Sequence, residues 1–281
     1  MKKILITGAN SYIGTSFEKY VKEKFPNNYI VDTIDMVDGS WREKNFAGYD
    51  SVFHVAGIAH RKETRENAQL YYEVNRDLAI ETAKKAKTDG VRQFIFLSSM
   101  SIYGMETGVI TKETKPNPKS HYGKSKWQAE QGISLLRTDR FKVCILRPPM
   151  VYGKGCKGNF QTVVKIVKKA PFFPKVKNER SMLFIDNLSS FVKHCVDVYL
   201  SGVYFPQNKE YMSTDNMALW ISEALHEKIY FEHITGMCVR ILRHIHPTVK
   251  KAFGSLIYDM KDDRDYCSVT EEDSVKESVI V

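Results

Sequence analysis

Tyr122 and Lys126 stand four residues apart in the run His121-Tyr122-Gly123-Lys124-Ser125-Lys126. On a helix, that spacing puts both side chains on one face. A phenol titrates near pH ~10 in water, and a neighbouring ammonium favours the phenolate. Such a tyrosine can pass a proton to and from a substrate oxygen near neutral pH. A Tyr-x-x-x-Lys pair also arises on helices by chance, so its surroundings decide its meaning. Upstream, Phe94-Ile95-Phe96-Leu97 leads into Ser98-Ser99-Met100-Ser101-Ile102-Tyr103-Gly104. The apolar run reads as a buried strand, and open α/β sheets bind ligands at the carboxyl ends of their strands. Ser99 is suited to hydrogen-bond the oxygen that Tyr122 protonates, and Tyr103 offers a second hydroxyl to substrate. Ser98 and Ser101 read as caps of the following turn.

A second constellation opens the chain: Ile4-Leu5-Ile6-Thr7-Gly8-Ala9-Asn10-Ser11-Tyr12-Ile13-Gly14. A buried strand ends at a glycine and a helix begins close behind. Such a turn presents helix N-terminal N–H groups to a pyrophosphate. The expected cofactor-binding residues are therefore Gly8, Asn10, Ser11, Tyr12, Ile13 and Gly14. Gly8 allows the sharp turn and Gly14 lets the helix lie close to the sheet. Ser11 stands where the dinucleotide fingerprint has its middle glycine. Asp35, 27 residues after Gly8, follows the second apolar run and is a candidate for the ribose hydroxyls. Asp32 and Asp38 are its competitors. The nearest basic residue is Arg42, and nothing closer would receive a 2′-phosphate, which favours NAD over NADP.

These groups need a scaffold of alternating strands and helices. Strands are expected at residues 3–7, 29–34, 51–55, 94–97 and 141–146, and helices at 12–24, 70–87 and 124–136. The alternation, with nearly continuous apolar strands, predicts a parallel sheet covered on both faces. Beyond Pro148-Pro149 the pattern is less regular, with helices expected at 160–169 and 188–199. The boundary is placed near 150, giving a dinucleotide-binding domain (1–150) and a second portion (151–281) packed against it. Pro247 should break any helix through 234–257. The stretch 239–251 reads as core packing with basic ends reaching solvent, ahead of a helix lying on a membrane.

The whole chain sets the bounds. Its 281 residues, 43% hydrophobic, can bury a large core. Five scattered cysteines form no C-x-x-C pair, so zinc and redox sites are not expected and a reducing cytosol fits. Met1-Lys2-Lys3 precedes an apolar triplet too short for a signal peptide, and no apolar run is long enough to span a membrane. The net charge of +9 reads as solvated helix faces, a diphosphate ligand or a nearby acidic membrane. No basic stripe interleaved with aromatics points to nucleic acid. His244-Ile245-His246 lacks the spacing and the acidic partner of a metal site.

Together these motifs resemble the extended short-chain dehydrogenase/reductase family of nucleotide-sugar epimerases, dehydratases and reductases. The matching residues are Thr7-Gly8-Ala9 through Ile13-Gly14, His54-Val55-Ala56-Gly57, Asn75, Ser98-Ser99 through Tyr103-Gly104, Tyr122 with Lys126, and Arg147-Pro148-Pro149 with Val151-Tyr152-Gly153. The resemblance implies a Rossmann-type doubly wound sheet, NAD or NADP as cofactor, and a catalytic trio of Ser99, Tyr122 and Lys126. It implies Ala56 and Gly57 in the cofactor groove, Pro148 beside the nicotinamide, Lys126 also on the nicotinamide ribose, Asn159 on substrate and Arg180 on its diphosphate. A homodimer is a common state of the family. Residues 150–160, Gly202-Val203-Tyr204 and residues 253–258 look like bacterial capsular-polysaccharide enzymes acting on UDP-4-keto-6-deoxy-N-acetylhexosamines. That implies NAD(P)H-dependent reduction of a C4 ketone, in the cytoplasm near the inner face of the membrane. A UDP-sugar 4-epimerase needs the same residues, and a non-catalytic NAD(P)-binding sensor is the alternative from another class.

Overall fold

Six apolar segments pair side by side, all parallel, in the order β10-β6-β4-β3-β1-β2. They are β1 (Lys2–Thr7), β2 (Tyr29–Ile34), β3 (Ser51–His54), β4 (Gln93–Leu97), β6 (Lys142–Leu146) and β10 (Gly202–Tyr204). The structure, a computed structural model, describes residues 1–59, 61–245, 249–250, 253–259, 267 and 269–279, apart from the side chains at 234, 238, 240 and 243–245. The doubly wound parallel sheet expected from the alternation is what forms.

The covering helices explain why the strands are apolar on both faces. On one face, Leu5, Val52, Phe94, Phe96, Val143 and Ile145 share a core with Ala79, Ala83 and Ala86 of α3 (Leu78–Thr88) and Ala129 and Ile133 of α4 (His121–Ser134). The small alanines let the helix approach the sheet closely. Burial of each phenylalanine contributes about 1.5–3 kcal/mol. On the other face, Phe17 of α1 (Tyr12–Lys24) meets Phe53 edge-on at 5.4 Å, and Cys144 lies against Cys195 of α6 (Ile185–Val198). Among the described residues, Cys144, Cys156, Cys195 and Cys267 are outside any disulfide.

The expected helix at 70–87 is not continuous. It starts as α2 (Ala68–Tyr72), widens into a π turn at Glu73–Asp77, and resumes as α3. The π turn carries Asn75, fully buried. Asn75 receives the Ile58 N–H at 2.9 Å and donates to the Ile58 carbonyl at 3.1 Å and to Ser125 Oγ at 3.2 Å. Widening of a helix at such a residue is a frequent device at functional sites.

Two compact units are distinguishable: 1–104 with 115–148 and 188–206, and 105–114 with 149–187 and 207–281. The first holds the six-stranded sheet. The second contains three two-stranded parallel ribbons: β5 (Gly108–Ile110) with β12 (Leu256–Tyr258), β7 (Met150–Tyr152) with β9 (Met182–Phe184), and β8 (Phe172–Pro174) with β11 (Tyr230–Glu232). Its helices are α5 (Asn159–Lys169), α7 (Thr214–Ala224), α8 (His233–Ile245) and α9 (Glu271–Val279). Tyr152 anchors this unit, stacked on Phe160 at 5.4 Å and bonded by its hydroxyl to Ser274 and Asn208. Pro247 and His246 lie outside the described residues. Ile241 and Leu242, expected to pack in a core, are instead exposed.

Candidate active site

The turn after β1 is shaped by close approach. Gly8 has φ +98°, and a Cβ there would sit 2.9 Å from the Cα and N of Ala56. Only glycine avoids that collision while keeping the left-handed conformation. Asn10 adds a second positive φ, +62°, which Asn tolerates better than most residues. A Cβ on Gly14 would meet Ser11 Oγ at 2.7 Å and Ile6 Cγ2 at 3.0 Å, so α1 starts hard against the sheet. Ser11 does more than keep the turn small: it is the N-cap of α1, its Oγ accepting the Gly14 N–H at 3.2 Å. Gly8 and Ala56 thus end adjacent strands, β1 and β3. The chain winds to opposite sides from there, toward β2 and toward β4, which makes this the crevice where open α/β sheets take dinucleotides.

Asp35 directly follows β2 and is exposed, its Oδ1 accepting the Val37 N–H at 2.9 Å. Arg42, the nearest basic residue in sequence, is held bidentately by Glu81 at 2.5 and 2.7 Å. A groove of about 400 Å³ opens between Met36–Trp41 on one side and Val74–Leu78 on the other.

Tyr122 and Lys126 occupy the first two turns of α4, and three contacts fix where that helix starts. Ser120 caps it, Oγ to the Gly123 N–H at 3.0 Å. Glu63 accepts the N–H groups of His121 and Tyr122 at 2.8 and 3.0 Å, which sets a carboxylate at the positive end of the helix dipole. Gly123 lies so near the Ser101 carbonyl that a Cβ would meet it at 2.6 Å. Ser99 sits just past β4, its Oγ accepting the Ser101 N–H at 3.1 Å. Ser99 also hydrogen-bonds Tyr122.

The electrostatics correct one expectation. Burial pushes the Tyr122 phenol above its ordinary range, and the bond with Ser99 pulls the other way. Lys126 is not what sets it. The Lys126 ammonium is buried, donates to the Leu97 carbonyl at 2.8 Å, and lies 4.7 Å over the Phe96 ring. Burial brings it down to about 8, opposed by Glu130 one turn along. A Cβ on Gly57 would lie 3.4 Å from Lys126 Nζ and 2.8 Å from Asn75 Oδ1. At Gly8 and Gly57 alike, a side chain would run into Ala56 or Asn75, so the backbone stays bare at both strand ends.

Beneath these residues lies a charged network centred on Glu130, which belongs to none of the sequence motifs. Glu130 accepts from Ser98 Oγ and from Arg147, whose Nη2 reaches it at 2.6 Å. Arg147 Nη1 donates to the Tyr103 hydroxyl at 2.8 Å. Tyr103 is itself buried, its hydroxyl engaged by Arg147. The available signal was Glu130 itself: a carboxylate among Ala129 and Ile133 on the apolar side of its helix. Pro148, next to Arg147, accepts the Met100 N–H at 2.9 Å and so ties the strand ends together. In the second unit, Asn159 is the exposed first residue of α5, and Arg180 donates to the Gly254 carbonyl at 2.6 Å. Among the described residues no cluster of His, Cys, Asp and Glu could hold a metal.

A parallel sheet with a glycine-hinged first turn, and Ser, Tyr and Lys gathered beside its strand ends, defines a dinucleotide-dependent α/β enzyme. Residues 4–170 match the NAD dependent epimerase/dehydratase family, and the chain belongs to that family. The UDP-glucose 4-epimerase of Vibrio cholerae is 33% identical over 221 residues, covering 70% of this chain and 67% of the relative. The N-acetyl-alpha-D-glucosaminyl-diphospho-ditrans,octacis-undecaprenol 4-epimerase of Escherichia coli O157:H7 is 26% identical over 301 residues, 97% of this chain and 88% of the relative. A UDP-2-acetamido-2,6-beta-L-arabino-hexul-4-ose reductase of Pseudomonas aeruginosa is 25% identical over 209 residues, 71% of this chain and 51% of the relative. The solved UDP-glucuronic acid 4-epimerase of Bacillus cereus in complex with NAD superposes with a TM-score of 0.74 at 17% identity, over 99% of this chain and 97% of that one, a likeness of fold.

Proposed function

We propose that the chain is an NAD-dependent 4-epimerase of a diphosphate-linked sugar, with UDP-sugars as the first candidates. The observation that carries this is the similarity of nearly the whole chain to a 4-epimerase. Asp35 at the end of β2, with Arg42 committed to Glu81, supports NAD over NADP. Gly8, Asn10, Ser11, Tyr12, Ile13 and Gly14 would hold its diphosphate, and Ala56, Gly57 and Pro148 would line the groove. Bound there, NAD would supply reversible hydride transfer at C4 of the sugar. Tyr122 accepts the C4 hydroxyl proton as that carbon becomes a ketone, and gives it back on reduction. Ser99 hydrogen-bonds the same oxygen. Lys126 holds the ribose and places positive charge beside the oxygen that Tyr122 deprotonates. We assign Asn159 and Arg180 to the substrate, Arg180 to its diphosphate.

A second reading, reduction of a UDP-4-keto-6-deoxy-N-acetylhexosamine, is favoured by the reductase relative. It uses the same residues and consumes the cofactor. The purified protein would be incubated with UDP-glucose, UDP-N-acetylglucosamine and N-acetylglucosaminyl-diphospho-undecaprenol without added reductant. Proton NMR should find the C4 epimer of one of them. No epimer from any of the three, with stoichiometric NADH or NADPH oxidation by the 4-keto sugar, would replace the first reading with the second.

A further inference from the structure

We infer that Glu81 determines the preference for NAD over NADP, by holding Arg42 against α3 and away from a 2′-phosphate. The inference deepens the proposed use of NAD and rests on that reading. The N–H groups of Gly8 and Ala9 donate to the Ile34 carbonyl at 2.9 and 3.1 Å, so the first glycine turn abuts the end of β2. The chain leaves that point through Asp35, and Met36–Arg42 form one wall of the groove of about 400 Å³, with Val74, Asp77, Leu78 and Glu81 on the other. In open α/β sheets the adenosine ribose lies at this place, and a nearby arginine is what accommodates a 2′-phosphate. Among the described residues that line the groove, Arg42 is the one cation, against the carboxylates of Asp38, Glu73, Asp77 and Glu81. Asp77 is paired with Arg76, and Asp38 accepts the Ser40 N–H at 3.0 Å and the Ser40 hydroxyl at 2.7 Å.

Arg42 is held on three sides. Gly39, with φ +81°, leads into the short 3-10 turn Ser40–Arg42, and a Cβ on it would meet Arg42 Nη1 at 3.2 Å. The guanidinium carbon lies 4.6 Å over the ring of Trp41, which is buried. Nε and Nη2 donate to the two Glu81 oxygens at 2.5 and 2.7 Å. That edge of a guanidinium is one that grips a phosphate bidentately, and here a carboxylate occupies it. NADP would have to break both bonds and bring its phosphate beside a Glu81 left unpaired. NAD, with a hydroxyl at that position, asks nothing of Arg42. Arg42 and Glu81 are 52% and 47% exposed, and ion pairs so exposed contribute little to stability. The pair should therefore be felt in the choice of ligand rather than in folding.

The test is equilibrium dialysis of the full chain against NAD alone, NADP alone and an equimolar mixture, with the bound nucleotide released and quantified by chromatography. Wild type should take up NAD in excess from the mixture. Glu81→Ala should raise the ratio of bound NADP to bound NAD by about tenfold, the size of one charge-assisted contact, while its affinity for NAD stays within about twofold of wild type. Glu81→Gln, which keeps the size of the side chain, should move the ratio in the same direction. Glu81→Ala combined with Arg42→Ala should lose the gain, because the arginine that would receive the phosphate is gone. Thermal unfolding of each variant should match wild type. An unchanged ratio in both Glu81 variants would overturn the inference and leave the pair as a tie between the turn and α3. So would a gain that survives the loss of Arg42, since the carboxylate alone would then repel the phosphate. Wild type that holds NADP as tightly as NAD would also overturn it. Wild type that holds neither nucleotide would remove the cofactor reading itself, and the inference with it, so the two failures are told apart.

Discussion

Lys126 turns its ammonium to the carbonyl oxygen of Leu97, 2.8 Å away, at the carboxyl end of β4. That contact anchors the lysine to the sheet and fixes it one turn beyond Tyr122. It also places a buried cation where its charge depends on pH, since burial brings it down to about 8. The cation is present below that value and lost as pH rises through it. Turnover should therefore fall above about pH 8 in the wild type. Lys126→Arg keeps its charge throughout, so any activity that it retains should lack this alkaline limb. A limb unchanged in Lys126→Arg would assign it to another group.

In the proposed reaction Tyr122 and Ser99 act on one oxygen, so their substitutions should cost turnover without unfolding the chain. Tyr122→Phe should lower kcat by about 10²–10⁴-fold, the range for a positioned general acid–base. Ser99→Ala should cost about 10²-fold. Steady-state kinetics checks both, and NAD affinity measured by fluorescence should stay within a few-fold of wild type. A Tyr122→Phe enzyme with full kcat would remove Tyr122 from the chemistry.

Glu130 and Arg147 form a buried pair that also binds Ser98 and Tyr103. Removing one partner leaves an uncompensated charge in the interior. Glu130→Ala should destabilise the protein by about 3–5 kcal/mol. The pair replaced together, Glu130→Leu with Arg147→Met, should cost much less than the sum of the single changes. Urea unfolding of the four members of this cycle measures the coupling.

His54 is buried, stacked near Phe94 and Phe96, with Nδ1 bonded to Thr7 Oγ1 at 2.7 Å and Nε2 without a partner. Burial, with a smaller contribution from Lys126, holds it down to about 3. The folded protein keeps it neutral, whereas the unfolded chain takes a proton below about 6.5. Its contribution is complete above that value and lost as pH falls toward 3, at about 1.4 kcal/mol per pH unit. Between pH 7 and 5 this amounts to about 2 kcal/mol. His54→Asn should shrink the fall in urea stability over that interval by that amount, and an equal fall in both proteins would refute the assignment.

The parallel sheet, the first glycine turn and the shared helix side of Tyr122 and Lys126 were legible in the sequence because each rests on local spacing. Strand–helix alternation fixes which way apolar side chains face, and a four-residue step fixes that Tyr122 and Lys126 share a helix side. The break of 70–87 into helix, π turn and helix was not legible, since it answers to the needs of a buried Asn75 that reaches Ile58 and Ser125. Nor was the protonation of Tyr122, because burial and hydrogen bonds set a pKa, and both come from residues distant in the chain. Glu130 and Arg147 had their identities in the sequence but not their partnership. Met237 and Ile241 carry the same pattern whether a helix face meets a core or solvent. Periodicity says that a face is apolar, while only the packing of Gly236 onto Lys175 decides which side is covered.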